Sequence, residues 1–266
     1  MINLQEIIHS HDRIKKYIHR TPILTNHSLN QLTGAHLYFK CENFQKAGAF
    51  KMRGATNAIE QLSDEELNRG IATASSGNHG AALAMAVSRR GGVLTVVMPD
   101  NSSPMKVANV KRNDAKIIWC KPIQESREEV LHQLVEKTNA IVIHPYNDER
   151  IIAGQGTAAK ELLEDQPDLD AIITPLSGGG LLSGTLCAAK NMNDGIKVYG
   201  AEPEEADDAY HSLKAGKRMA NETTNTICDG LRAQVGMINF SIIQELVDDI
   251  ITLSEKEIIE SMRLIW

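Results

Sequence analysis

The chain has 266 residues, 42% hydrophobic and 23% charged, with a formal net charge of −6. That length fits one large or two modest domains, and the composition is that of a soluble globular protein with a substantial core. The mildly acidic charge with no basic run gives no reason to expect nucleic acid or an anionic membrane as a partner. Cys41, Cys120, Cys187 and Cys228 are far apart and have no ligand spacing. They argue against a disulfide scaffold or a zinc site, and for a reducing, cytoplasmic setting.

The chain opens on a charged amphipathic helical stretch, residues 1–21, without the apolar centre of a signal peptide. Strand patterns then follow at His36–Cys41, Ile71–Ser75, Val93–Met98, Ile117–Cys120, Ala140–His144, Ala171–Leu176, Lys197–Ala201 and Asp249–Leu253. Helical patterns lie between them at Met52–Leu62, Gly80–Arg90, Pro104–Asn113, Glu125–Thr138, Glu149–Glu164, Leu181–Asn191 and Phe240–Val247. This alternation predicts an α/β architecture with largely parallel sheets. The set from Ile71 to His144 reads as a small lobe, residues 66–147. It is inserted into a larger lobe made of residues 1–65 and 148–266, with a ligand cleft between the two. The stretch Ala171–Ala189 is uncharged over 19 residues, but Pro175 and four glycines break it into a strand half and a helix half, against a membrane span.

Three strand-to-loop junctions are too specialised for plain connectors. Ser177-Gly178-Gly179-Gly180 follows a strand and opens a helix, so its backbone N–H groups can wrap an anion. It lacks the ending of a Walker A loop and the spacing of a dinucleotide fingerprint; its plainer alternative is a turn that only packs helix on strand. Ser75-Ser76-Gly77-Asn78-His79 offers hydroxyls, an amide and backbone donors at a helix start, as a carboxylate site or simply as a cap. In Ala49-Phe50-Lys51-Met52 a lysine stands near a helix start. There the helix dipole and desolvation disfavour the ammonium, unlike a solvated surface lysine. A fourth feature, Glu202 to Asp208, is an acidic run that by itself reads as a solvated face.

In order along the chain, Arg20-Thr-Pro22, Lys40-Cys-Glu-Asn-Phe-Gln45, the Phe50-Lys51 pair, Ser75–His79, Ala153-Gly-Gln-Gly-Thr157, the glycine loop, Glu202-Pro203 with Ala206-Asp-Asp208, and Leu246-Val-Asp-Asp249 are together highly specific. With them the sequence resembles the serine/threonine dehydratase and serine racemase family. These are pyridoxal 5′-phosphate (PLP) enzymes of fold-type II, with the two-lobed, tryptophan synthase β-like fold and the cofactor in the cleft.

The resemblance implies that Lys51 carries PLP and moves the Cα proton, that Phe50 packs on the cofactor, and that Asn78 bonds its ring hydroxyl. Ser177, Gly178, Gly179 and Gly180 would hold the phosphate. Ser75, Ser76, Gly77, Asn78 and His79 would take the substrate carboxylate, and Ser76 would be the second acid/base on the far face of Cα. Arg127 would reach the substrate on closure. Glu202, the Ala206 carbonyl and Asp208 would bind Mg²⁺ or Ca²⁺. The implied reaction is ammonia elimination from a small β-hydroxy amino acid, L-serine or L-threonine, by a homodimer. A serine racemase, a 3-hydroxyaspartate dehydratase and a catalytically silent metabolite-binding protein are the alternatives.

Departures from the family pattern fall at Ser177 for a glycine, Ala49 for a serine, Ala81 for a glutamine tied to nucleotide activation, and Ala233 for a serine frequent in racemases. The family also continues for roughly fifty residues beyond the segment matching Ile259–Trp266. Those residues supply the group that faces the PLP ring nitrogen, so a fragment, or a protein without that group, is expected.

Overall fold

The structure, a computed structural model, describes residues 2–75 and 77–265. The first helix, Leu4–Ile14, starts on a capping box in which Asn3 Oδ1 accepts from Glu6 N and Glu6 accepts from Asn3 N, both at 3.0 Å. A short antiparallel pair follows, β1 (Ile23–Leu24) with β2 (Phe39–Lys40).

Two parallel sheets make up the rest. The four-stranded one contains β3 (Ile71–Ala74), β4 (Leu94–Pro99), β5 (Lys116–Cys120) and β6 (Ile141–Val142), in the order β5-β4-β3-β6. The three-stranded one contains β7 (Ala171–Pro175), β8 (Lys197–Pro203) and β9 (Asp249–Leu253), in that order. Parallel neighbours require a crossover, and helices Asn78–Arg89, Pro104–Lys111, Gln124–Thr138 and Gly180–Met192 supply it. The uncharged stretch divides into β7 and the helix Gly180–Met192, and among the described residues no helix is long and apolar enough to cross a membrane.

The alternation expected from the sequence is present, with two informative differences. Strand β6 ends at Val142 rather than His144. Pro145 has no N–H to give to a ladder, and the N–H groups of Tyr146 and Asn147 both turn back to His144 Nδ1, at 3.3 and 2.9 Å. Short helices at His27–Thr33, Asp64–Asn68 and Asp208–Ala215 went unforeseen. The second is closed by a capping box between Ser63 and Glu66, whose Ser-x-x-Glu signature was legible.

Each sheet has its own core, and the helix Glu149–Asp165 serves both. Its Ile151 packs with Met52, Leu83, Val96 and Ile143, while the adjacent Ile152 packs with Leu182, Val198 and Ile250. Full burial of such a side chain stabilises by about 1.5–3 kcal/mol. The same helix lies against its neighbours with no room for side chains between them. A Cβ on Gly154 would sit 2.6 Å from Gly54 Cα, and one on Gly184 would sit 2.5 Å from Gly156 N. The Ala153–Thr157 motif is therefore a spacer. It sets helix Lys51–Glu60 on one flank and helix Gly180–Met192 on the other at backbone contact, and Gln155 Oε1 accepts from Gly54 N at 3.1 Å.

Arg53, in the first turn of the helix that begins at Lys51, has no solvent exposure. Its guanidinium donates to both Glu42 oxygens at 2.8 Å, to both Glu161 oxygens at 2.9 and 2.8 Å, and to Thr157 Oγ1 at 3.2 Å. Lys40 Nζ adds a 2.8 Å contact to Glu161. Burial opposes the ionisation of Glu161, but hydrogen bonds from His11, Arg53 and Lys40 outweigh it and hold its pKa well below the usual carboxylate range. Breaking such a set from one side leaves charges buried without partners, at a cost of about 3–5 kcal/mol. Arg53→Ala is therefore expected to lower the unfolding free energy by about that amount in urea titrations. A loss under about 1 kcal/mol, the size of an exposed ion pair, would show that the network does not hold this helix in place.

Candidate active site

Three helices, Lys51–Glu60, Asn78–Arg89 and Gly180–Met192, begin beside residues 143–147, each presenting its positive end. The chain reaches Lys51 through a tight turn in which Ala47 has φ 60°, a left-handed conformation that costs a non-glycine residue about 1–2 kcal/mol. Lys51 Nζ donates to Pro145 O at 3.0 Å and lies 5.0 Å from the centre of the Phe50 ring. Desolvation brings its pKa down to about 8.

His79 is buried, with Nε2 3.4 Å from Ile143 O. Burial first, then the nearby Lys51 and His144, lowers its pKa to about 3, so the ring is neutral at physiological pH. With Nε2–H directed at a carbonyl, Nδ1 is a bare acceptor and has no partner among the described residues. Ser75 Oγ accepts from Gly77 N at 3.3 Å and Gly80 N at 3.0 Å, so this hydroxyl shapes the loop on which Asn78 is presented, exposed, at the helix start. Ser76 lies outside the described residues.

In the glycine loop, Gly179 has φ 91°, open only to glycine, and a Cβ on Gly178 would strike the Tyr146 ring at 2.4 Å. The hydroxyl of Ser177 does not project freely. It donates to Ala233 O at 3.1 Å and accepts from Ala233 N at 3.0 Å. The Ala233–Gly236 segment thus backs the loop, and Gly236 N donates to Gly178 O at 3.0 Å.

The structure brings Lys51, Phe50, His79 and the glycine loop together around residues 143–147. Arg127, half-buried on helix Gln124–Thr138, has no partner for Nε among the described residues, and its charge reaches the Tyr146 hydroxyl, opposing the rise that burial gives its pKa. The acidic run is not a solvated face throughout. Glu202, at the end of β8, and Asp208, at the head of the next helix, are each 1% exposed. Glu202 Oε2 accepts from Tyr210 N at 3.0 Å and Asp208 Oδ2 from Val235 N at 2.8 Å, while Glu202 Oε1 and Asp208 Oδ1 have no partner among the described residues. Burial, and for Glu202 also the neighbouring Asp208, raises the two pKa values to about 9 and about 6. Among the described residues no cluster of three or more His, Cys, Asp or Glu side chains could hold a metal, so an ion here would draw on these two carboxylates and backbone oxygen.

Sequence reasoning missed Tyr146, Asn147 and Asn239, which line the same place. The signal for the first two was present: His144-Pro145-Tyr146-Asn147-Asp148 is a fourth polar junction leaving the carboxyl end of a parallel strand, where such sheets place ligands.

Parallel α/β sheets and three helix starts around a desolvated lysine define a two-lobed fold-type II PLP enzyme. Residues 14–266 match the family described as pyridoxal-phosphate dependent enzyme, and the chain belongs to that family. It is 49% identical over 264 residues to a serine racemase of Arabidopsis thaliana, covering 99% of this chain and 80% of the relative. To a β-hydroxyaspartate dehydratase of Paracoccus denitrificans it is 45% identical over 262 residues, with 98% and 83% covered. The structure of maize serine racemase superposes with a TM-score of 0.97 at 46% identity, with 98% and 80% covered. The residues present suit PLP: a half-buried lysine with a lowered pKa for an aldehyde, and a loop closed to every side chain at Gly178 and Gly179 for a phosphate.

Proposed function

We propose that this chain eliminates ammonia from a small β-hydroxy amino acid, L-serine or L-threonine, to give a 2-oxo acid. The observation that carries the reading is the Lys51 amine, desolvated to a pKa of about 8 where three helix starts meet. Lys51 would hold PLP, with Phe50 against it, Asn78 on its ring hydroxyl, and the N–H groups of Ser177–Gly180 on its phosphate. Bound there, PLP supplies an electron sink that acidifies the substrate Cα–H. The Ser75–His79 loop, at the positive end of helix Asn78–Arg89, suits the substrate carboxylate, and Arg127 the outer end of the substrate. The free-base form of the Lys51 amine accepts the Cα proton; its lowered pKa makes that form accessible near pH 7 to 8. Loss of the β-hydroxyl as water, then hydrolysis of the resulting enamine, gives the 2-oxo acid and ammonia. The neutral His79 adds no charge that would compete for the carboxylate.

Racemisation is the second reading, favoured by the relatives named serine racemase. It requires a proton donor on the far face of Cα. Ala233 has no hydroxyl, and the Ser177 hydroxyl is engaged by the Ala233 backbone in both directions, which leaves that role to Ser76. The deciding assay follows pyruvate and D-serine together from L-serine, with L-threonine and 3-hydroxyaspartate in parallel. Pyruvate is expected to form faster, and Ser76→Ala is expected to keep elimination while losing racemisation. D-serine outrunning pyruvate would replace the lyase with a racemase.

The paired carboxylates support a divalent cation site formed by Glu202, the Ala206 carbonyl and Asp208, with water completing the shell. Two adjacent buried carboxylates, each with an oxygen unpartnered among the described residues, are costly alone and are neutralised by Mg²⁺ or Ca²⁺. The ion is expected to raise the melting temperature with concentration, and Asp208→Ala to abolish the rise. A melting curve indifferent to both ions would reduce the cluster to a structural acid pair.

A further inference from the structure

Asn239, in the first turn of helix Met237–Leu246, has no solvent exposure and belongs to none of the motifs above. Its amide is shared between the two sides of the site. Nδ2 donates to Gly178 O at 2.7 Å and to Tyr146 O at 3.0 Å. A Cβ on Gly179 would come within 2.7 Å of the Asn239 Cβ, and the Asn239 backbone carbonyl accepts from Ser183 Oγ at 3.4 Å. Neighbouring bonds run in the same sense: Gly236 N to Gly178 O at 3.0 Å, and Ile238 N to Asn147 Oδ1 at 2.9 Å.

On one side of this amide is the glycine loop. On the other is Tyr146, directly after Pro145, whose carbonyl accepts from Lys51 Nζ at 3.0 Å. The Tyr146 ring itself lies on Gly178. One buried side chain therefore joins the strand-end segment that receives the lysine to the loop suited to phosphate.

We infer that Asn239 is a positioning residue: it fixes the separation of Lys51 from the Ser177–Gly180 loop, and so sets the affinity for PLP, which must reach both. The inference rests on the assignment of Lys51 and the loop made above. Two carbonyl oxygens share one NH₂ group here, and the geometry depends on donors at that position. Asn239→Asp keeps the shape but sets an oxygen against Gly178 O and Tyr146 O, which would drive the loop and the segment apart. Asn239→Ser retains one shorter donor and is the milder change.

The test titrates apo wild type and both variants with PLP, reading the absorbance of the bound form. Melting curves choose a temperature at which each protein is folded. The Kd of Asn239→Asp is expected to rise at least about tenfold, with Asn239→Ser between it and wild type. Values for both variants within about threefold of wild type overturn the inference, as does a lowered melting temperature with unchanged Kd, the mark of a purely structural residue. Should Asn239→Asp fail to fold, Asn239→Ser decides by the same threefold criterion. Wild type that takes up no PLP, or fixes it with borohydride at a lysine other than Lys51, overturns the prior assignment and this inference with it.

Discussion

The site depends on a buried guanidinium. Arg53 is gripped by Glu42 from the segment after β2 and by Glu161 from helix Glu149–Asp165, and it is two residues from Lys51 in the same first turn. A fully desolvated arginine can be tolerated only where carboxylates meet its fork on both sides. The demand for paired geometry therefore fixes the rotation and depth of the helix start that presents the lysine. Lys40 and Thr21 complete the carboxylates' partners, so residues distant in sequence converge on one charge-balanced knot.

Glycine contacts do for distance what the knot does for orientation. With Gly54 against Gly154 and Gly156 against Gly184, one helix holds the lysine helix and the glycine-loop helix at backbone separation. The starts of those two helices are thereby held at fixed places on one support. Positive helix ends favour anions, and desolvation disfavours an ammonium. Desolvation accounts for the lowered pKa of Lys51 and, with the charges of Lys51 and His144, for the neutral state of His79, while the helix ends suit the loops to a phosphate and a carboxylate.

Local signals made much of this legible in the sequence. Strand β9 lies at Asp249–Leu253, as its strand pattern predicts, and Lys51 and Gly180 open helices as their flanking residues imply. What stayed hidden was long-range. Asn239 lies 61 residues from Gly178 and 93 from Tyr146, and nothing in an apolar helical stretch distinguishes an asparagine that turns inward from one that turns to water. The acidic run shows the same limit, because only the fold separates the buried Glu202 and Asp208 from the exposed Glu204 between them. Short helices such as Asp64–Asn68 depend on caps more than on periodicity, since nucleation penalises a few isolated turns.

The claim that the site is built around one desolvated amine is tested most directly by trapping PLP on the apo-protein with borohydride across a pH series and mapping the modified peptide. Only the neutral amine attacks an aldehyde, so trapping should rise with pH through the lysine's own pKa. The account predicts a label on Lys51 with a midpoint near pH 8, below the ordinary lysine value of 10.5. A label distributed over other lysines, or a midpoint on Lys51 near that ordinary value, would contradict it.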